Sequence, residues 1–131
     1  MRMKLIGSRE VFFSETFILP EGESASFTTS ARGFPLRIEV TAEKVDGSAR
    51  AQATTNVVPA SAQELQAGAG PLVKIRLENW NSTIPAIFLK PLRFGQLPDG
   101  TSLAYNLAVT TISGPPTARI IMLQMYAGGT Y

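Results

Sequence analysis

The chain has 131 residues, of which 44% are hydrophobic and 17% charged, and this predicts one domain with a sizeable core. Its net charge of +2 is too small to favour nucleic acid as a partner. Because cysteine and histidine are both absent, the sequence excludes disulfide frameworks, zinc sites built on Cys and His, and nucleophile systems that need an imidazole.

The start of the chain lacks the pattern of an exported protein. Residues 1–8 contain cations, but no long apolar run follows them, so no signal peptide is predicted. No stretch approaches the roughly 18 apolar residues of a membrane span. The sequence therefore predicts a cytoplasmic protein without a membrane partner.

The first part of the chain predicts short strands separated by turns. Residues 10–19 are apolar on parts of both faces, which indicates a central strand or a strand that changes its packing at a bulge. A Pro-Glu-Gly-Glu turn at 20–23 leads to a strand at 24–30, and the two strands are predicted to pair as a hairpin. Residues 36–42 show the cleanest alternation of apolar and polar side chains.

Residues 48–70 differ in composition, since they are rich in Ala, Gln, Thr and Gly. They predict a long connection across the end of a sandwich, with a thin edge strand at 49–58. Ser61 and Glu64 have the spacing of a capping box, which predicts a short helix over 62–66.

The following stretch, residues 72–80, reads L-V-K-I-R-L-E-N-W. Its alternation predicts a strand with one face in the core and one in water. Residues 84–94 contain Pro85 and Pro91, which favours a kinked or edge segment over an unbroken central strand.

Two further strands are predicted at 102–112 and 118–126, so the total is eight or nine short strands with at most one helix. This pattern is typical of an all-β domain, and we expect residues 1–131 to form a single immunoglobulin-like or jelly-roll β-sandwich.

The two late strands supply the first candidate site. Strands of a single sandwich normally turn one polar face to water. Here one predicted strand has a second face that is small and uncharged, and the last strand is apolar on both faces. Either these faces form a subunit contact, or the 48–70 connection covers them. The predicted interaction surface is Ala104, Asn106, Ala108, Thr110, Ile121, Leu123 and Met125.

The second candidate site surrounds the only tryptophan of the chain. Trp80 can act as an aromatic platform for a sugar or base, beside the amides of Asn79 and Asn81 and the cations Lys74 and Arg76. If the hairpin of 72–80 and 84–94 forms, Lys90 and Arg93 extend this basic surface. In the alternative, Trp80 folds back over the core edge, and the cations lie on an ordinary solvated strand face.

Three segments together resemble a known kind of domain. They are L-V-K-I-R-L-E-N-W-N, K-P-L-R-F-G-Q-L-P-D-G-T-S-L and A-R-I-I-M-L-Q-M-Y. A strand that ends in Glu-Asn-aromatic, a Pro-x-x-x-Gly turn and a late Arg look like a small bacterial β-sandwich domain of unknown function, over roughly residues 17–126. The resemblance implies a sandwich and no particular activity.

No pattern in the sequence indicates an enzyme. Glu78 and Asp99 are the only acids after residue 64, and no glycine-rich phosphate loop opens a helix. We expect a non-catalytic interaction module without cofactor or metal, which self-associates or is a protein subunit of a larger bacterial or phage assembly. The alternative is a β-sandwich that binds a carbohydrate or a nucleotide-like anion at the Trp80 site.

Overall fold

A computed structural model describes residues 9–43, 52–78, 86–87, 91–112, 114 and 117–129. Within them, nine strands and one short helix are formed, which confirms the all-β prediction. Their bounds are β1 Arg9–Pro20, β2 Ser24–Ala31, β3 Phe34–Ala42, β4 Gln52–Val58, α1 Ala62–Gln66, β5 Leu72–Glu78, β6 Ala86–Ile87, β7 Leu92–Gln96, β8 Ser102–Ile112 and β9 Ala118–Gly128. The predicted capping box is present, with Ser61 and Glu64 exchanging hydrogen bonds at the start of α1.

The strands form two sheets that pack face to face as a sandwich. One sheet has five strands, in the order β1-β9-β8-β6, with β7 also paired to β8. The other has four strands, in the order β2-β3-β5-β4. Alternate residues of the strands whose side chains are described point between the sheets, and their apolar side chains form the core. Its fully buried members include Ile38, Val40, Val73, Ile75, Leu107, Val109, Ile121 and Leu123.

The first two strands do not pair with each other, so the predicted β1–β2 hairpin is wrong. β1 pairs with β9 and β2 pairs with β3, and the segment between them crosses from one sheet to the other. The crossing is held at both sheets, because Glu21 N–H donates to Thr117 O at 2.8 Å and Gly22 N–H to Ala42 O at 2.7 Å. Of the two alternatives for residues 10–19, the bulge is present, since the β1 register shifts between Val11 and Phe13, and β1 lies at the edge of its sheet instead of its centre.

Phenylalanines explain why this crossing is preferred over a hairpin. The ring of Phe27 on β2 lies 5.3 Å from that of Phe13 and 5.0 Å from that of Phe17 on β1. In a hairpin the three rings would lie on one flat sheet, half in water. As facing sheets, the strands bury the rings against each other and close this side of the sandwich.

A hydrogen bond joins the two sheets on the opposite side of the sandwich. The Tyr105 hydroxyl on β8 lies 2.6 Å from the Thr55 hydroxyl on β4. Tyr105 is almost completely buried, and its ring packs 5.9 Å from that of Phe94 on β7. The ring therefore contributes to the core while its polar end is satisfied by the other sheet.

We expect Tyr105→Phe to lower the free energy of unfolding by about 1 kcal/mol, because it removes this bond and leaves the Thr55 hydroxyl without its partner. Urea unfolding measures the change. Tyr126→Phe is the matched control, since the Tyr126 hydroxyl donates only to Gln124 on its own strand, at 3.0 Å. Equal losses in the two variants would contradict a special role for the bond between the sheets.

Tyr105 also makes the fold sensitive to alkali. Burial raises the pKa of Tyr105, and the hydrogen bond with Thr55 offsets this only in part. The folded chain therefore keeps the Tyr105 proton at a pH where the unfolded chain loses it. This contribution to stability is fully present below the ordinary tyrosine pKa of about 10 and is lost as the pH rises above it. Above that pH, the free energy of unfolding of the wild type should therefore fall more steeply with pH than that of Tyr105→Phe.

Candidate interaction surface

Apart from Arg9 at the start of β1, the outward side of the five-stranded sheet is uncharged across its three longest strands. The register of β1, β9 and β8 places five rows of three side chains on this side. The rows are Val11–Tyr126–Ala104, Ser14–Gln124–Asn106, Thr16–Met122–Ala108, Ile18–Ile120–Thr110 and Pro20–Ala118–Ile112. These fifteen residues are called the outer face below, and none of them carries a charge.

Large apolar side chains on the outer face are open to solvent. Ile18 is 64% exposed, Met122 42% and Ile120 38%, and they lie side by side in two adjacent rows. Val11 and Ile112 are also exposed, at opposite ends of the face. Single exposed apolar residues are ordinary on protein surfaces, but a contiguous group of them marks a site of interaction.

The opposite side of the sandwich has the composition of a solvated surface. The outward positions of the four-stranded sheet are filled by serines and threonines on β2 and by charged side chains on the central strands. The charged residues are Arg37, Glu39, Lys74, Arg76 and Glu78. The two sides of one molecule therefore differ in charge, which indicates that they meet different surroundings.

The prediction that Ile121, Leu123 and Met125 belong to this surface is wrong. All three are 0% exposed and lie in the core of their own chain. β9 is apolar on both sides, so alternation alone does not tell which side points inward. Its position between β1 and β8 determines which side points inward, and Ile120 and Met122 are the residues that reach the outside.

The β8 residues of the predicted surface do lie on the outer face. Asn106, Ala108 and Thr110 are partly exposed there, while Ala104 is covered and sits opposite Tyr126. The 48–70 connection does not cover them in its described part, residues 52–70. β4 pairs with β5 in the other sheet, and Glu64 of α1 contacts Arg37 of β3.

A pair of amides lies in the second of the five rows of the outer face, next to the central row that contains Met122. Asn106 and Gln124 are directly opposite each other in the register of β8 and β9. The Oδ1 atom of Asn106 is buried and accepts no hydrogen bond from the described residues. Primary amides both donate and accept hydrogen bonds, so the part of this pair that reaches solvent can hydrogen-bond to a second copy of itself.

A charged residue protects the β1 edge of this sheet against pairing with another strand. β1 is an edge strand, and Glu15 lies on its inward side, opposite Leu123 and between Phe13 and Phe17. Its carboxylate is exposed at the rim of the sandwich. An inward-pointing charge on an edge strand opposes the addition of another strand, because the added strand would bury it.

The second predicted site is described only in part, because Asn79, Trp80 and Asn81 lie outside the described residues. Lys74 and Arg76 line a polar cleft of about 380 Å³ between β4 and β5. Arg76 forms an ion pair with Glu43 and lies 4.0 Å from Glu78, and the hydrogen bond with Glu43 raises the pKa of Arg76. Since these carboxylates offset the cations, the described part of the cleft does not favour an anion.

The hairpin of residues 72–80 and 84–94, on which the extended basic surface depended, is not formed by the described parts of the two segments. β5 belongs to the four-stranded sheet, whereas β6 and β7 pair with β8 in the other sheet. Lys74 and Arg76 therefore do not share a sheet surface with Arg93. Lys90 lies outside the described residues. The two segments do not pair because the inward sides of β5 and β7 both contribute to the core, each from its own sheet.

Comparison with known proteins does not assign the chain to a family. No family model matches the chain, and no curated protein or solved structure is significantly similar to it. Among the described residues, no cluster of acidic side chains could hold a metal ion. The helix that they contain, α1, has five residues and is far too short to cross a membrane.

Proposed function

We propose that the protein is a non-catalytic module that self-associates by stacking its outer face on that of a second copy. The observation that supports this most is the absence of charge from all fifteen outer-face positions, combined with the adjacent exposed side chains of Ile18, Ile120 and Met122. Removing such side chains from water on association is favourable, and no charged group needs to be desolvated.

The chemistry of the outer face favours a second copy over a charged partner. A surface without charge offers nothing to steer or pair with a strongly acidic or basic protein. In contrast, an apolar patch beside the Asn106–Gln124 pair matches its own copy, because a two-fold axis that runs along the strands places each row of the outer face on the same row of the second copy.

The size of the outer face indicates a weak complex. Nine residue steps along β1 and three strands spaced about 4.8 Å apart give a plan area of roughly 30 Å by 15 Å, on the order of 450 Å². Stable interfaces bury about 800 Å² on each partner. We therefore expect a dimer that dissociates on dilution through the micromolar range. Pairing through the β1 edge would instead bury the Glu15 carboxylate, so stacking is preferred.

Sedimentation velocity across a dilution series tests the proposal. Wild type should shift from monomer to dimer as its concentration rises. Met122→Lys places a charge in the centre of the outer face and should remain monomeric, with a loss of affinity of at least about tenfold. Because Met122 is partly exposed, the variant should still fold.

Ser26→Lys is the matched control, since Ser26 is exposed on the opposite side of the sandwich, across from Glu39. It adds the same charge and should dimerise like wild type. A wild-type chain that stays monomeric at every concentration would refute the proposal. Undiminished association of Met122→Lys would show that another surface is used.

A further inference from the structure

A pocket opens between the two sheets at the end of the sandwich where β3 and β5 begin and β7 ends. Its volume is about 460 Å³, within the range of about 300–1,000 Å³ that proteins use for small molecules. Leu36, Val73, Leu97 and Leu103 line its inner part, and all four are buried in the core. The pocket therefore reaches into the molecule and differs from a flat apolar patch.

Four separate elements supply the outer walls. Phe34 comes from β3, Val57 from β4, Leu65 from α1 and Phe94 from β7. Leu65 is 60% exposed, although it is the large apolar residue of α1. A short helix that holds a leucine at the mouth of an apolar pocket, instead of burying it, leaves room for another molecule to cover that side chain.

The wall formed by α1 is held in place by Arg37 of β3. The Arg37 guanidinium lies 2.8 Å from Glu64 Oε2, and its Nε donates to Gly70 O at 2.9 Å. Hydrogen bonds from Ser61 and the charge of Arg37 lower the pKa of Glu64, so the carboxylate remains ionised at neutral pH. Both ends of the segment that carries Leu65 are thus fixed, and the pocket is preformed.

The lining determines which kind of molecule fits. The described residues around the pocket include no ionisable side chain, and Gln96 supplies the polar one. An anion or cation would lose its hydration in this pocket without gaining a partner. A neutral apolar molecule loses little, and one polar group on it can hydrogen-bond to the amide of Gln96.

We propose that this pocket binds a small, neutral, largely apolar molecule that carries a single hydrogen-bonding group. The site is separate from the outer face, which lies on the far side of the five-stranded sheet. Binding here therefore does not depend on self-association, and either proposal can fail without the other.

Titration with N-phenyl-1-naphthylamine tests the site, because this neutral dye becomes fluorescent in apolar surroundings. We expect saturable binding of one dye per chain. Decanol should displace it at least about tenfold more effectively than decanoate, since the lining offers the carboxylate no countercharge. A dye signal that does not saturate, or equal displacement by the alcohol and the anion, would overturn the proposal.

Two neighbouring valines provide a matched pair of variants. Val57 and Val58 on β4 are both 39% exposed, but Val57 lines the pocket and Val58 points to the other side of the strand. Val57→Trp should fill the mouth and weaken dye binding at least about tenfold, and Val58→Trp should leave it unchanged. Equal affinity of the two variants would refute this location.

Met122→Lys separates this site from the outer face. The dye should bind to Met122→Lys as it does to wild type, because Met122 does not line the pocket. Loss of binding in Met122→Lys, with binding kept in Val57→Trp, would assign the dye to the outer face and overturn the pocket proposal.

Discussion

Gly70→Ala is expected to lower the free energy of unfolding by about 3 kcal/mol or more, through an overlap with backbone that cannot move aside cheaply. A methyl group at Gly70 would overlap the carbonyl oxygen and carbon of Pro35. The segments of Gly70 and Pro35 are tied together next to this contact. Arg37 N–H donates to Pro71 O and the Arg37 side chain to Gly70 O, each at 2.9 Å. The parallel β3–β5 pairing begins here, so moving the segments apart disturbs the centre of the four-stranded sheet.

Gly95→Ala is the control for this effect. No heavy atom lies within 4 Å of a methyl group at Gly95. The free energy of unfolding of Gly95→Ala should stay within about 0.5 kcal/mol of that of wild type, because the added methyl group overlaps nothing. Urea unfolding of both variants, at concentrations where the chain is monomeric, gives the comparison. A Gly70 variant as stable as the Gly95 variant would show that β3 and β5 are not in such close contact.

Leu107→Ala is expected to lower the free energy of unfolding by about 3 kcal/mol, within the range of about 2–5 kcal/mol for truncations of buried leucines. Leu107 is 2% exposed on β8 and faces Leu123 on β9 across the register. Its removal leaves a void in the centre of the core, where backbone on both sides is fixed by sheet hydrogen bonds and cannot collapse inward.

Leu92→Ala makes the same chemical change at a position that is 45% exposed on β7. It should lower the free energy of unfolding by less than about 1 kcal/mol, since nearly half of Leu92 is already exposed to water. Similar urea midpoints for the two variants would mean that β8 does not lie in the middle of the core. The slopes of the two urea transitions should agree, because the same surface is exposed on unfolding.

Strands with strict alternation were predictable from the sequence. In residues 36–42 and 73–78, every second side chain is apolar and its neighbour is polar or charged, so only one assignment of inside and outside is possible. The structure buries Leu36, Ile38, Val73 and Ile75 as this requires. The capping box at Ser61 was equally clear, because it depends on residues three positions apart.

The wrong predictions concern strands whose local sequence pattern does not specify which distant segment they pack against. β9 has apolar side chains on both sides, and only its place between β1 and β8 selects Met122 over Leu123 as the exposed residue. A turn at residues 20–23 suits either a hairpin or a crossing between sheets. The choice depends on the contact of Phe13 and Phe17 with Phe27, which the sequence alone does not reveal.

The pocket was missed for a related reason. Its walls come from Phe34, Val57, Leu65 and Phe94, which are spread over sixty residues of the chain and belong to four elements. One local signal was available. Leu65 is a large apolar residue in a helix too short to bury it on its own, and such a residue indicates an apolar surface nearby.

The position of β9 has a consequence for how the molecule is made. The four-stranded sheet uses residues 24–78, so all of its strands have left the ribosome before β9 is synthesised. β1 and β8 have no common neighbour until β9 inserts between them, because each pairs with it along its length. The outer face is complete only after β9 has inserted between β1 and β8. The stacking of two copies that we propose therefore requires chains in which β9 has already folded into its sheet.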